Sequence, residues 1–121
     1  MNKNELESHT DSVLSATAAQ PDPKAQFCML WSGTVKPALN LVKIITGPKV
    51  DAQIDKLIEA ADAVCDGTSP QLGKFCMIWD QFNLKTLLQM VQLFTGPKVD
   101  MALNKFIYLA ENMCEVEVKA A

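Results

Sequence analysis

The chain reads as all-α: tandem duplicated αα-hairpins forming a four-helix bundle, with an additional N-terminal helix. Three observations carry this. The hexapeptide Thr-Gly-Pro-Lys-Val-Asp occurs twice, at Thr46–Asp51 and Thr95–Asp100. Apolar residues recur at helical spacing on both sides of each copy. Phe27-Cys28-Met29-Leu30-Trp31 is echoed by Phe75-Cys76-Met77-Ile78-Trp79, so the repeat has a period of 48 to 49 residues. Two hairpins of equal length bury their stripes most simply against each other, and the period matches no common solenoid unit.

Taken in order, residues 2–20 carry Leu6, Thr10, Val13, Leu14 and Thr17. This thin stripe predicts a weakly amphipathic helix that persists only when packed, lying across the outside of the hairpins. Pro21-Asp22-Pro23 breaks it, with Asp22 suited to cap the next helix and Pro23 to its first position. The first hairpin spans 22–66. Its first helix, from about Pro23 to Ile45, shows the stripe Phe27, Leu30, Trp31, Val35, Ala38, Leu41, Val42 and Ile45. Pro37 crowds the carbonyl of Gly33 four residues back, which predicts a kink there.

The hexapeptide is the corner. Gly47 and Gly96 follow apolar runs and suit a left-handed helix stop. Pro48 and Pro97 suit the first turn of the returning helix, and Asp51 and Asp100 face the positive end of its dipole. The returning helices carry Val50, Ile54, Leu57, Ile58, Ala61, Val64, Cys65 and Val99, Leu103, Phe106, Ile107, Ala110, Met113, Cys114, at identical offsets. Asp66 to Pro70 joins the copies, with Ser69 as the cap of the second hairpin, which spans 69–116.

The copies differ in two places. Phe27 to Phe75 is 48 residues but Gly47 to Gly96 is 49, so the second copy holds one extra residue between Trp79 and its corner. The apolar phase advances between Phe82 and Leu84. One inserted residue turns everything beyond it by about 100° unless a π-bulge absorbs it. Also, Met101 and Tyr108 stand opposite the core stripe of the last helix, where the first copy has Ala52 and Glu59. That apolar strip marks a contact, either with the N-terminal helix or with a second copy in a two-fold dimer.

Measured from their corners, Cys28 and Cys65 are level, and so are Cys76 and Cys114; a helix rises ~1.5 Å per residue. Three readings follow: disulfides 28–65 and 76–114, four buried thiols, or a thiolate metal site. The gaps between the cysteines are too long for a typical zinc pattern. Disulfides rank first, and no metal or other cofactor is expected. The N-terminus shows no signal-like apolar run, which points to the cytoplasm as the chain is written; paired cysteines would point instead to a secreted or periplasmic protein.

Composition narrows the function. A net charge of −3 without a basic cluster speaks against nucleic acid, and no apolar run reaches the ~20 residues of a membrane span. His9 is the one histidine, in the N-terminal segment, and builds no nucleophile–base pair. Asp51, Asp55, Glu59 and Asp62 read as a solvated face partly paired with Lys56. An enzyme is not expected. The leading expectation is a non-enzymatic binding module that self-associates as a homodimer. The alternative is a small carrier of an apolar, lipid-like molecule in a pocket lined by Phe27, Trp31, Phe75, Trp79 and Phe82. A thiol or metal site at the cysteine end ranks third.

Overall fold

The computed structural model describes residues 3–66 and 69–120, and the side chains of 4–66 and 73–115 within them. Every regular element among these residues is helical. Helix α1 spans Lys3–Ala18. Helix α2, Pro23–Leu30, runs through a π-helical turn, Trp31–Val35, into α3, Lys36–Lys43. After the first corner, α4 covers Pro48–Asp66. Helices α5, Ser69–Gln81, and α6, Leu84–Val91, follow, the latter ending in a 3-10 turn, Gln92–Phe94. The second corner leads into α7, Pro97–Ala120.

Several local features obey the sequence. Asp22 is extended and its carboxylate accepts from the Lys24 N–H at 3.2 Å, with Pro23 opening α2. Residues 67 and 68 of the join expected after Asp66 lie outside the described residues. The Ser69 cap is a side-chain contact and lies outside the described residues.

Other features depart from it. The kink expected at Gly33 and Pro37 is instead a π turn, in which the Lys36 N–H donates to Trp31 O. Pro37 has no N–H to give and crowds the turn before it, and a widened turn absorbs that misfit without breaking the axis. In the second copy the extra residue is taken up not by a π-bulge but by a break. Asn83 sits in the left-handed region at φ 51°, between α5 and α6. Asparagine tolerates that conformation better than most residues. The break falls where the apolar phase advances, so Leu84, Leu87, Leu88 and Val91 all turn inward and are buried. Neither Gly47 nor Gly96 has a positive φ, so neither closes its helix in the left-handed way expected.

Around a single apolar interior, α4 packs on α5 and α6, α2 and its π turn on α7, α5 and α6 on α7, and α3 on α4. Phe27, Leu30, Trp31, Ile54, Leu57, Phe75, Leu84, Leu88, Leu103 and Phe106 have almost no solvent contact. Helix α1 lies on α7, α2 and the π turn, and its stripe of Leu6, Thr10, Val13 and Thr17 is buried. The two threonines satisfy their hydroxyls on the preceding turn, at Leu6 O and Val13 O, both 2.7 Å, and Thr10 also meets Thr34 at 3.1 Å. Gly33 makes the seat: a Cβ there would stand 2.7 Å from a Val13 methyl.

Candidate interaction surfaces

The cysteines are paired. Cys28 and Cys65 have Cα atoms 5.6 Å apart, and Cys76 and Cys114 5.4 Å, each pair at disulfide-bonding distance. No free cysteine remains among the described residues. Bonded sulfurs offer no thiolate, and no group of three or more His, Cys, Asp or Glu is arranged for a metal ion among the described residues. Phe27 and Phe75, each next to a paired cysteine, meet edge to face at 5.4 Å, which brings the two pairs near one another. Structural disulfides are features of oxidising compartments. The cytoplasmic expectation therefore finds no support.

Four of the five aromatic candidates, Phe27, Trp31, Phe75 and Trp79, are brought together, with a further ring among them. Phe106 stacks on Phe27 at 4.6 Å and on Trp31 at 5.8 Å, and meets Trp79 at 6.4 Å. Phe75 and Trp79 stack at 5.7 Å. The space between the tryptophans is thus occupied by Phe106, a residue that the sequence reading placed only in the stripe of its helix. Phe82 stands apart, half-buried beside Val50, Leu87 and Met90.

Trp31 also does polar work. Its buried indole N–H donates to Asp62 at 2.7 Å, and Lys36 Nζ reaches the same carboxylate at 2.9 and 3.2 Å. Burial pushes the Asp62 carboxyl up, but the hydrogen bonds from Trp31 and Lys36 outweigh it and hold the group below its ordinary value. The acidic face of α4 is therefore not simply solvated. Asp51 accepts from Thr46 at 2.5 Å, and Asp55 pairs with Lys43 rather than with Lys56.

Each corner is strapped by its own hexapeptide. Thr46 donates to Asp51 and Thr95 to Asp100, across five residues in both cases. Here the hexapeptides, identical in sequence, part company. At the second corner Glu7 of α1 reaches the start of α7, where the N–H groups of Lys98 and Val99 donate to its carboxylate at 2.5 and 3.2 Å. Lys98 Nζ pairs with Asp11 at 2.9 Å, a contact that raises its pKa. A Cβ on Gly96 would lie 2.7 Å from Glu7 Oε2, whereas nothing lies within 4 Å of the same position on Gly47. Glu7 is a distant cap joining residues 91 and 92 positions apart. No spacing rule finds such a partner, although Glu7 next to the buried Leu6 was visible.

What remains exposed is apolar in two regions. Met101 and Tyr108 on α7 are 57% and 65% exposed, and α1, which packs on α7, leaves both uncovered. Ile44 and Ile45 before the first corner, and Leu93 and Phe94 before the second, are exposed as well. Ile45 and Phe94 border one cleft with Leu6, Leu41 and Val99, so the two corners share an end of the molecule. His9 is exposed on α1. No described helix is long and apolar enough to cross a membrane. No family model, curated protein or solved structure matches this chain.

Proposed function

We propose that the chain is a non-enzymatic binding module of an oxidising compartment, secreted or periplasmic, that works by protein contact and self-associates as a homodimer. Its scaffold, on this reading, is a pair of tandem helical hairpins in a four-helix bundle. One disulfide closes the open end of each hairpin, and α1 lies over the groove between α2 and α7. The observation that carries the reading is the exposure of Met101 and Tyr108 while α1, the one in-chain candidate to cover them, is spent on another face of the same helix. Large apolar side chains grouped on one face mark contact surfaces, and a single helix face meeting its own copy is the simplest closed assembly. The exposed pairs at the corners add apolar surface of the same kind. The carrier alternative loses ground because Phe106 occupies the space between Trp31 and Trp79.

Light scattering on the non-reduced chain tests the proposal. A dimer that Met101→Glu converts to a monomer supports it. A wild-type monomer at every concentration refutes it.

A further inference from the structure

The duplication supplies a template for a second contact. It rests on the tandem arrangement proposed above but not on self-association. In the first groove α1 sets Leu6 beside Leu41 and Val99, caps the N–H groups of Lys98 and Val99 with Glu7, and pairs Asp11 with Lys98. Shifted by the repeat, the counterparts of Leu41, Val99 and Lys98 are Met90, Val50 and Lys49, on α6 and α4. Met90 and Val50 line, with Leu87 and Phe82, a cleft of about 160 Å³ in which no described residue plays the part of Leu6. Val99 is buried but Val50 is only half-buried. Lys49 has no ion pair among the described residues, and no described side chain caps the start of α4. A second cleft, lined by Glu59, Ala60 and Ala63 of α4 and by Lys74 and Ile78 of α5, lies farther along α4.

We propose that this second groove binds an acidic amphipathic helix of a partner protein. The partner sets a leucine-sized side chain between Val50, Leu87 and Met90, and a carboxylate on the start of α4 and the Lys49 ammonium. Charge chooses the occupant: Val50, which lines the cleft, sits in the first turn of α4, so the positive end of that helix dipole and the neighbouring Lys49, without an ion pair among the described residues, adjoin a mainly apolar cleft. A second copy of this chain is a poor occupant, because its α1 is already spent on its own first groove. The copies also differ where α1 comes closest. Gly33, which admits Val13, is replaced by Gln81 or Phe82 on the two sides of the repeat's register change. The occupant therefore carries a residue smaller than valine at that turn.

The probe is a fluorescent peptide of residues 3–18 with Val13→Ala, titrated into the full non-reduced chain and followed also by amide NMR. Expected is saturable one-to-one binding that shifts the Lys49 and Val50 amides. Met90→Glu and Lys49→Glu in the protein, and Glu7→Gln in the peptide, each weaken it tenfold or more. Lys49 is exposed, so its variant reads the contact without threatening the fold. Absence of binding overturns the proposal. So does binding that survives both protein variants and moves Lys98 and Val99, since the peptide would then have displaced α1. Repeating the titration on Met101→Glu separates this outcome from the fate of the dimer.

Discussion

Two identical hexapeptides should respond oppositely to the same substitution. Neither corner glycine uses a positive φ, so alanine strains neither backbone. In the first corner nothing lies near the new methyl group. Gly47→Ala should then stabilise by about 0.4–1 kcal/mol, because it narrows the unfolded ensemble. In the second corner the methyl meets three atoms of the Glu7 carboxyl group at 2.7 to 3.0 Å. The flexible Glu7 side chain yields by swinging out, and α7 loses its cap and the charge at its positive end. Such a loss costs about 1–2 kcal/mol. Set against the same unfolded-state gain, Gly96→Ala should destabilise by roughly 1 kcal/mol. Urea unfolding with both disulfides intact measures this. Glu7→Ala closes the cycle: in that background Gly96→Ala has no carboxylate to displace and should become as mild as Gly47→Ala, a coupling of about 1–2 kcal/mol. Equal effects at the two glycines, or a coupling near zero, would refute the assigned role of Glu7.

Three further outcomes follow from the geometry. Asp62→Leu should destabilise by about 1–3 kcal/mol, since it strands a buried indole N–H, whereas Asp62→Asn keeps an acceptor and should cost less; thermal unfolding distinguishes them. The Asp62 carboxyl titrates below its ordinary value when folded. Its charge therefore stabilises above the unfolded pKa of ~3.9, and that contribution is lost as pH falls through the lower folded value. The gap between wild type and Asp62→Asn should accordingly close in acid, as read from unfolding at pH 7 and about pH 2. Cysteine pairs separated by 37 and 38 residues close loops worth about 4 kcal/mol each by chain entropy; alkylation of the unfolded chain should add nothing before reduction and four groups after it.

Much of the fold was legible because it is local. Helical spacing marked the stripes, the proline–glycine corners marked the turns, and the level cysteines foretold their pairing. The phase change between Phe82 and Leu84 located the irregularity in the second copy. Its form was not legible, since a π-bulge and a left-handed asparagine can each absorb an extra residue, and the choice depends on neighbours. The role of the corner glycines was misread for a related reason. Gly96 matters through Glu7, 89 positions earlier in the chain, and Gly33 through Val13, neither of which periodicity connects. The polar anchor of Trp31 on Asp62 was hidden likewise, because a carboxylate on an outer stripe looks the same whether water or an indole meets it. At the candidate surfaces, Met101 and Tyr108 stood out only by comparing the two copies. The corner pairs escaped notice because Ile45 reads as one more residue of a core stripe.

The mass of the non-reduced chain in solution, measured by light scattering across a concentration series, tests the central claim most directly. The account predicts twice the 13.3 kDa of the chain, falling to that of one chain when Met101 becomes glutamate. A mass of one chain throughout, or a dimer indifferent to Met101→Glu and Tyr108→Glu alike, would contradict it.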